Sequence, residues 1–65
     1  MENRLREIRK NRGISQEELA SMTKINRVTI ARYETGRIIP GAENLFKLAS
    51  ALECTADELM KQKAG

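Results

Sequence analysis

The apolar residues of this chain recur at intervals of three and four, and nowhere alternate with polar ones over the length of a strand. Leu5 and Ile8 mark a first helix, which Gly13 stops. Ile14-Ser15-Gln16-Glu17-Glu18-Leu19 is a strong start signal. Ser15 is the cap, Glu18 its capping-box partner, and Ile14 stands at staple spacing from Leu19. The second helix then runs to about Met22. Thr23-Lys24-Ile25 makes a tight connection, Asn26 caps a third helix, and Gly36 ends it. After the loop Arg37-Ile38-Ile39-Pro40-Gly41, a fourth helix carries Ala42, Leu45, Leu48, Ala49 and Leu52 on one stripe. Cys54-Thr55-Ala56-Asp57-Glu58-Leu59 repeats the earlier logic, with Thr55 as cap, Glu58 as partner and Cys54 with Leu59 as staple. It opens a short fifth helix, and Lys61 to Gly65 are expected to fray. The pattern predicts an all-α fold of five helices in a single domain over residues 1–65. Its helical pair covers about 15–36, and the last two helices about 41–62.

The third helix is an odd choice of residues. Val28, Thr29 and Ile30 are adjacent β-branched residues, which are indifferent helix formers. A segment of about ten residues is also marginal alone in water. Stepping about 100° per residue separates two faces. Ile30 and Tyr33 point one way, toward a core shared with Ile25. Arg27, Val28, Ala31 and Arg32 share the other. A face that is merely solvated favours Glu, Lys and Gln, which are better helix formers. An exposed Val beside a small Ala suits a helix that must slide close to a surface. The DNA major groove admits an α-helix, Arg bonds guanine bidentately, and apolar side chains meet the thymine methyl. Arg27, Val28 and Arg32 therefore form a candidate reading set. The alternative is that Val28 packs on the second helix and the arginines are only solvated.

Composition narrows the classes. The chain has 65 residues, one cysteine and no histidine. An internal disulfide is excluded, and a zinc site is not expected. A single cysteine and no secretory segment point to the reducing cytoplasm, and no apolar run is long enough to span a membrane. Without a histidine or a nucleophile–base pair, an enzyme is not expected. Cys54 reads as a small staple residue, and no cofactor is implied. The net charge of +3 hides an asymmetry. All seven arginines lie in the first 37 residues, where nine cations face five carboxylates, a balance of +4. The remainder holds three cations against four carboxylates, a balance of −1. A basic half suits a polyanionic partner.

These residues carry a family resemblance. The segment "SQEELASMTKINRVTIARYETG", residues 15–36, resembles the helix-turn-helix of the phage repressor and Cro-like (XRE-type) DNA-binding domains. The match extends from "LREIRKNRGISQEELA" through "YETGRIIP" to "LFKLASALECTADEL". The resemblance implies a compact five-helix, lambda-repressor-like domain, with the third helix in the major groove and the second across the backbone. It implies base reading by Arg27, Val28 and Arg32, and a phosphate contact from Gln16. It puts Asn26, Thr29, Arg37 and Asn44 near the phosphate backbone. Arg9 and Glu34 match a pair that ties the first helix to the end of the third, a structural role. Two positions depart from the family. Lys24 and Glu53 stand where it often has Gly, or Gly or Asn. If they adopt φ > 0, each is strained by roughly 1 kcal/mol.

The function so implied is sequence-specific binding of double-stranded DNA by a small transcriptional regulator, a repressor of prophage or mobile-element type. An antitoxin autoregulator or a restriction-system controller would look the same, and a protein-interaction module of this fold is the alternative class. One short helix reads about four or five base pairs, too few to single out a site among roughly 10⁶–10⁹ competitors. A two-fold homodimer on a palindromic operator is therefore expected. Its contact surface is expected at Ile38, Ile39 and Pro40, with Cys54 and Met60, in the less basic half.

Overall fold

The computed structural model describes residues 3–61. Five α-helices follow one another: α1 Leu5–Asn11, α2 Gln16–Thr23, α3 Arg27–Glu34, α4 Ala42–Leu52 and α5 Ala56–Met60. No strand occurs among the described residues. The all-α expectation holds, with ends shifted by one or two residues. The reading of fraying at the C-terminus falls on residues 62–65, which lie outside the described residues.

Local chemistry explains the breaks. Ser15 Oγ accepts from the Glu18 N–H at 3.0 Å, and Glu18 Oε1 accepts from the Ser15 N–H at 3.1 Å, a complete capping box. Asn26 Oδ1 accepts from the Val28 N–H at 2.8 Å and starts α3. At α5 the expected box forms only in part. Thr55 Oγ1 accepts from the Glu58 N–H, but the Glu58 carboxylate accepts from the Thr55 hydroxyl rather than from the Thr55 N–H. Lys24 and Glu53 both adopt left-handed backbone, with φ of 61° and 54°, closing α2 and α4. Each occupies a helix-ending conformation that suits Gly better. The Glu53 carbonyl accepts from Arg12 Nη2 at 3.1 Å, so a cation from just beyond α1 also serves the end of α4.

The core gathers one to three apolar residues from each helix: Leu5 and Ile8 of α1, Leu19, Ile30 with Tyr33, Leu48 with Ala49 and Leu52, and Leu59. Ile25 joins them from the α2–α3 turn. Both staples are in place, with Ile14 and Cys54 packed on this cluster at half exposure. α4 packs against α2 and α5, and α3 against α2 and α1. The Arg4 N–H donates to the Leu59 carbonyl at 2.9 Å, which ties the start of α1 to α5. One expectation on the fourth helix changes. Ala42 is exposed, so the buried stripe begins only at Leu45, and Phe46 stands 67% exposed beside it.

Candidate nucleic-acid interface

The two faces of α3 separate as the spacing predicts. Ile30 and Tyr33 are buried, while Arg27, Val28 and Arg32 are exposed and Ala31 is half-buried between them. Val28 is 53% exposed, which removes the alternative in which it packs on α2. No acidic side chain pairs with Arg27 or Arg32 among the described residues. The face thus presents two uncompensated guanidinium groups flanking an apolar side chain.

Behind this face lies a polar tie. Arg9 is buried and each of its three guanidinium nitrogens donates a hydrogen bond. Nε donates to Glu34 Oε2 at 2.6 Å, Nη2 to Glu34 Oε1 at 3.2 Å, and Nη1 to the Ile14 carbonyl at 2.8 Å. The expected Arg9–Glu34 pair is therefore present, joining α1 to the last residue of α3. Gln16 extends it: its Nε2 donates to Glu34 Oε1 at 3.1 Å. The first residue of α2 is thus tethered to the end of α3. Its amide retains a second N–H and an oxygen for an outside ligand.

A second tie has no signal in the sequence pattern. Asn44, in the first turn of α4, donates through Nδ2 to the Tyr33 hydroxyl at 2.9 Å. The Tyr33 carbonyl in turn accepts from Asn3 Nδ2 at 2.8 Å. Tyr33 is a core residue by its ring and a junction of three segments by its polar atoms. No spacing rule relates residues 3, 33 and 44. The only available hint is that a buried Tyr needs a partner for its hydroxyl.

The remaining expected backbone contacts sit at differing depths. Asn26 is exposed, its oxygen spent on the α3 cap and its Nδ2 left over. Thr29 is half-buried and Arg37 exposed. Of the expected dimer contacts, Ile38 and Ile39 are 41% and 62% exposed, and Cys54 and Met60 half-buried. Pro40 is buried within the chain, which corrects its place on a contact surface: it packs inward and leaves Ile38 and Ile39 outermost. Burial and then the Glu58 carboxylate push the Cys54 thiol up, with Arg12 opposing them, so it is held as the thiol. Among the described residues, no helix is long and apolar enough to cross a membrane.

Five short helices on one core, with α2 and α3 joined by a tight left-handed turn, define a helix-turn-helix domain. The chain belongs to the helix-turn-helix family, whose model matches residues 5–59. The repressor protein C2 of Salmonella phage P22 is 38% identical over 61 residues, 94% of this chain. The chain spans 28% of that repressor's length. The crystal structure of the P22 c2 repressor in complex with a synthetic operator matches with a TM-score of 0.84 at 37% identity. That match covers 92% of this chain and 91% of that one. The restriction-modification controller protein C.AhdI from Aeromonas hydrophila matches with a TM-score of 0.82 at 38% identity, covering 88% and 86%.

Proposed function

We propose that this chain binds double-stranded DNA sequence-specifically as a transcriptional regulator of repressor type, and that it is not an enzyme. The observation that carries the reading is the outer face of α3. Its two unpaired arginines and exposed Val28 stand on a helix whose other side is locked in the core. They do so in a fold shared with a repressor solved on its operator. Arg27, Val28 and Arg32 read bases in the major groove. Gln16, Asn26, Thr29, Arg37 and Asn44 serve the phosphates, aided by the positive ends of α2, α3 and α4. Two copies form a two-fold dimer through Ile38 and Ile39, and the site of action is the cytoplasm. The likeness to C.AhdI supports one further reading, control of a restriction–modification system, through the same interface.

The test is selection of bound duplexes from random DNA, followed by titration of the selected site at two salt concentrations. A symmetric site is expected. A dimer neutralising about 6–10 phosphates loses about 10³–10⁵ in affinity between 50 and 200 mM salt. A flat salt response overturns DNA binding. Inserting five base pairs between the half-sites tests the dimer, because it turns one half to the opposite side of the duplex. Equal affinity and stoichiometry for both spacings would defeat the paired arrangement.

A further inference from the structure

Besides the α3 arginines, the basic half holds an uncompensated pair on the outer face of α1. Arg6 and Lys10 are both exposed, one helical turn apart. They line one open groove between α1 and the end of α3, together with Glu7, Glu34 and Thr35. Both carboxylates in that groove are already committed. Glu7 pairs with Arg4 at 2.9 Å, and Glu34 accepts from Arg9 and Gln16. Among the described residues neither Arg6 nor Lys10 has an ion-pair or hydrogen-bond partner for its side chain. Like charges at this spacing disfavour a helix, and only Lys10, in the last turn of α1, offsets this through the helix dipole.

The location of the pair indicates its use. Arg6 also lines a second groove, whose other walls include Gln16 and Ala31. Gln16 is the start of α2, and Ala31 lies on the outer face of α3. The cationic strip of α1 is thus continuous with the reading face rather than an isolated surface charge. A duplex lying along α3 extends beyond the base pairs it reads, and carries a phosphate charge about every 1.7 Å of its axis.

We propose that Arg6 and Lys10 form an anchor for the sugar–phosphate backbone flanking the bases read by α3. The anchor rests on the DNA-binding reading above and adds to it a footprint longer than the specified site. It confers affinity without sequence preference, because phosphates are the same at every step.

Two duplexes test it: the selected site trimmed to its last specified base pair, and the same site lengthened by about six arbitrary base pairs at each end. Wild-type protein and the double variant Arg6→Gln, Lys10→Gln are titrated on both across a salt series. Lengthening is expected to tighten wild type several-fold and the variant not at all. On the long duplex the variant's slope of log affinity against log salt becomes shallower by about 0.9 for each phosphate it no longer neutralises. Its base preferences and urea midpoint match wild type. A variant with the wild-type slope and length dependence overturns the anchor and leaves DNA binding intact. A lowered urea midpoint with an unchanged slope makes the pair structural and overturns it too. Salt-independent or absent binding by wild type removes the DNA reading itself, and the anchor with it.

Discussion

α3 and α4 are held in the same core by different means. α4 is the simpler case: Leu48, Ala49 and Leu52 are buried along a regular stripe, and its own ion pair, Lys47–Glu43 at 3.7 Å, lies in solvent. α3 buries only Ile30 and Tyr33. What it lacks in apolar contact is supplied by polar ties. Asn26 caps its start, Glu34 at its end receives Arg9 and Gln16, and Tyr33 joins Asn3 and Asn44. A helix fastened by its apolar stripe gives up a whole side to packing. A helix fastened at its ends and through one aromatic keeps most of its circumference free. That freedom is what a surface-reading helix requires.

If the contrast is right, polar deletions should hurt α3 far more than α4. The largest effect is expected from Glu34→Ala, which strands the buried Arg9 guanidinium and should cost about 3–5 kcal/mol in urea unfolding. A cost near that of an exposed pair would break the comparison. Ile30→Ala removes one of only two buried residues of α3 and should cost about 2–5 kcal/mol. An unchanged urea midpoint would mean that the inner face is misassigned. Arg27→Ala and Arg32→Ala should leave unfolding untouched. Each should weaken the preferred DNA site by about 1–3 kcal/mol while relaxing one position, read by titration on site variants. Ser15→Ala, which removes a complete capping box, should cost about 1 kcal/mol by thermal or urea denaturation. Lys47→Ala on α4 should change stability by no more than about 0.5 kcal/mol, because its pair is exposed. A larger drop there would show that α4 also depends on its polar side chains.

The analogous start signals at α2 and α5 show how far local reading reaches. Ser15 and Thr55 both cap, as their type and place require. Yet Glu18 closes its box on the backbone, while Glu58 turns to the Thr55 hydroxyl. The pattern identifies the candidates, and the side-chain rotamer, which it does not encode, selects the bond. The candidate interface divides in the same way. The exposed Arg27, Val28 and Arg32 were legible from helical geometry alone, as were the buried Ile30 and Tyr33. The burial of Pro40 was not, because a loop has no periodicity from which to read its inward side.

The sequence by itself determined five helices, their caps and stops, the inner and outer faces of α3, and the concentration of arginine in the first 37 residues. Each depends on residues within a turn or two of one another, where propensity and spacing act directly. The family resemblance added the Arg9–Glu34 pair and marked Lys24 and Glu53 as departures whose backbone is left-handed in the fold. Only the tertiary structure decided that Gln16 meets Glu34 across 18 positions, that Tyr33 meets Asn44 and Asn3, and that Arg6 shares a groove with Gln16 and Ala31. Those meetings depend on how helices cross. Many sequences with the same hydrophobic pattern would satisfy the core. Which polar groups then face each other is set by the packed positions of whole helices, which no short stretch of the chain contains.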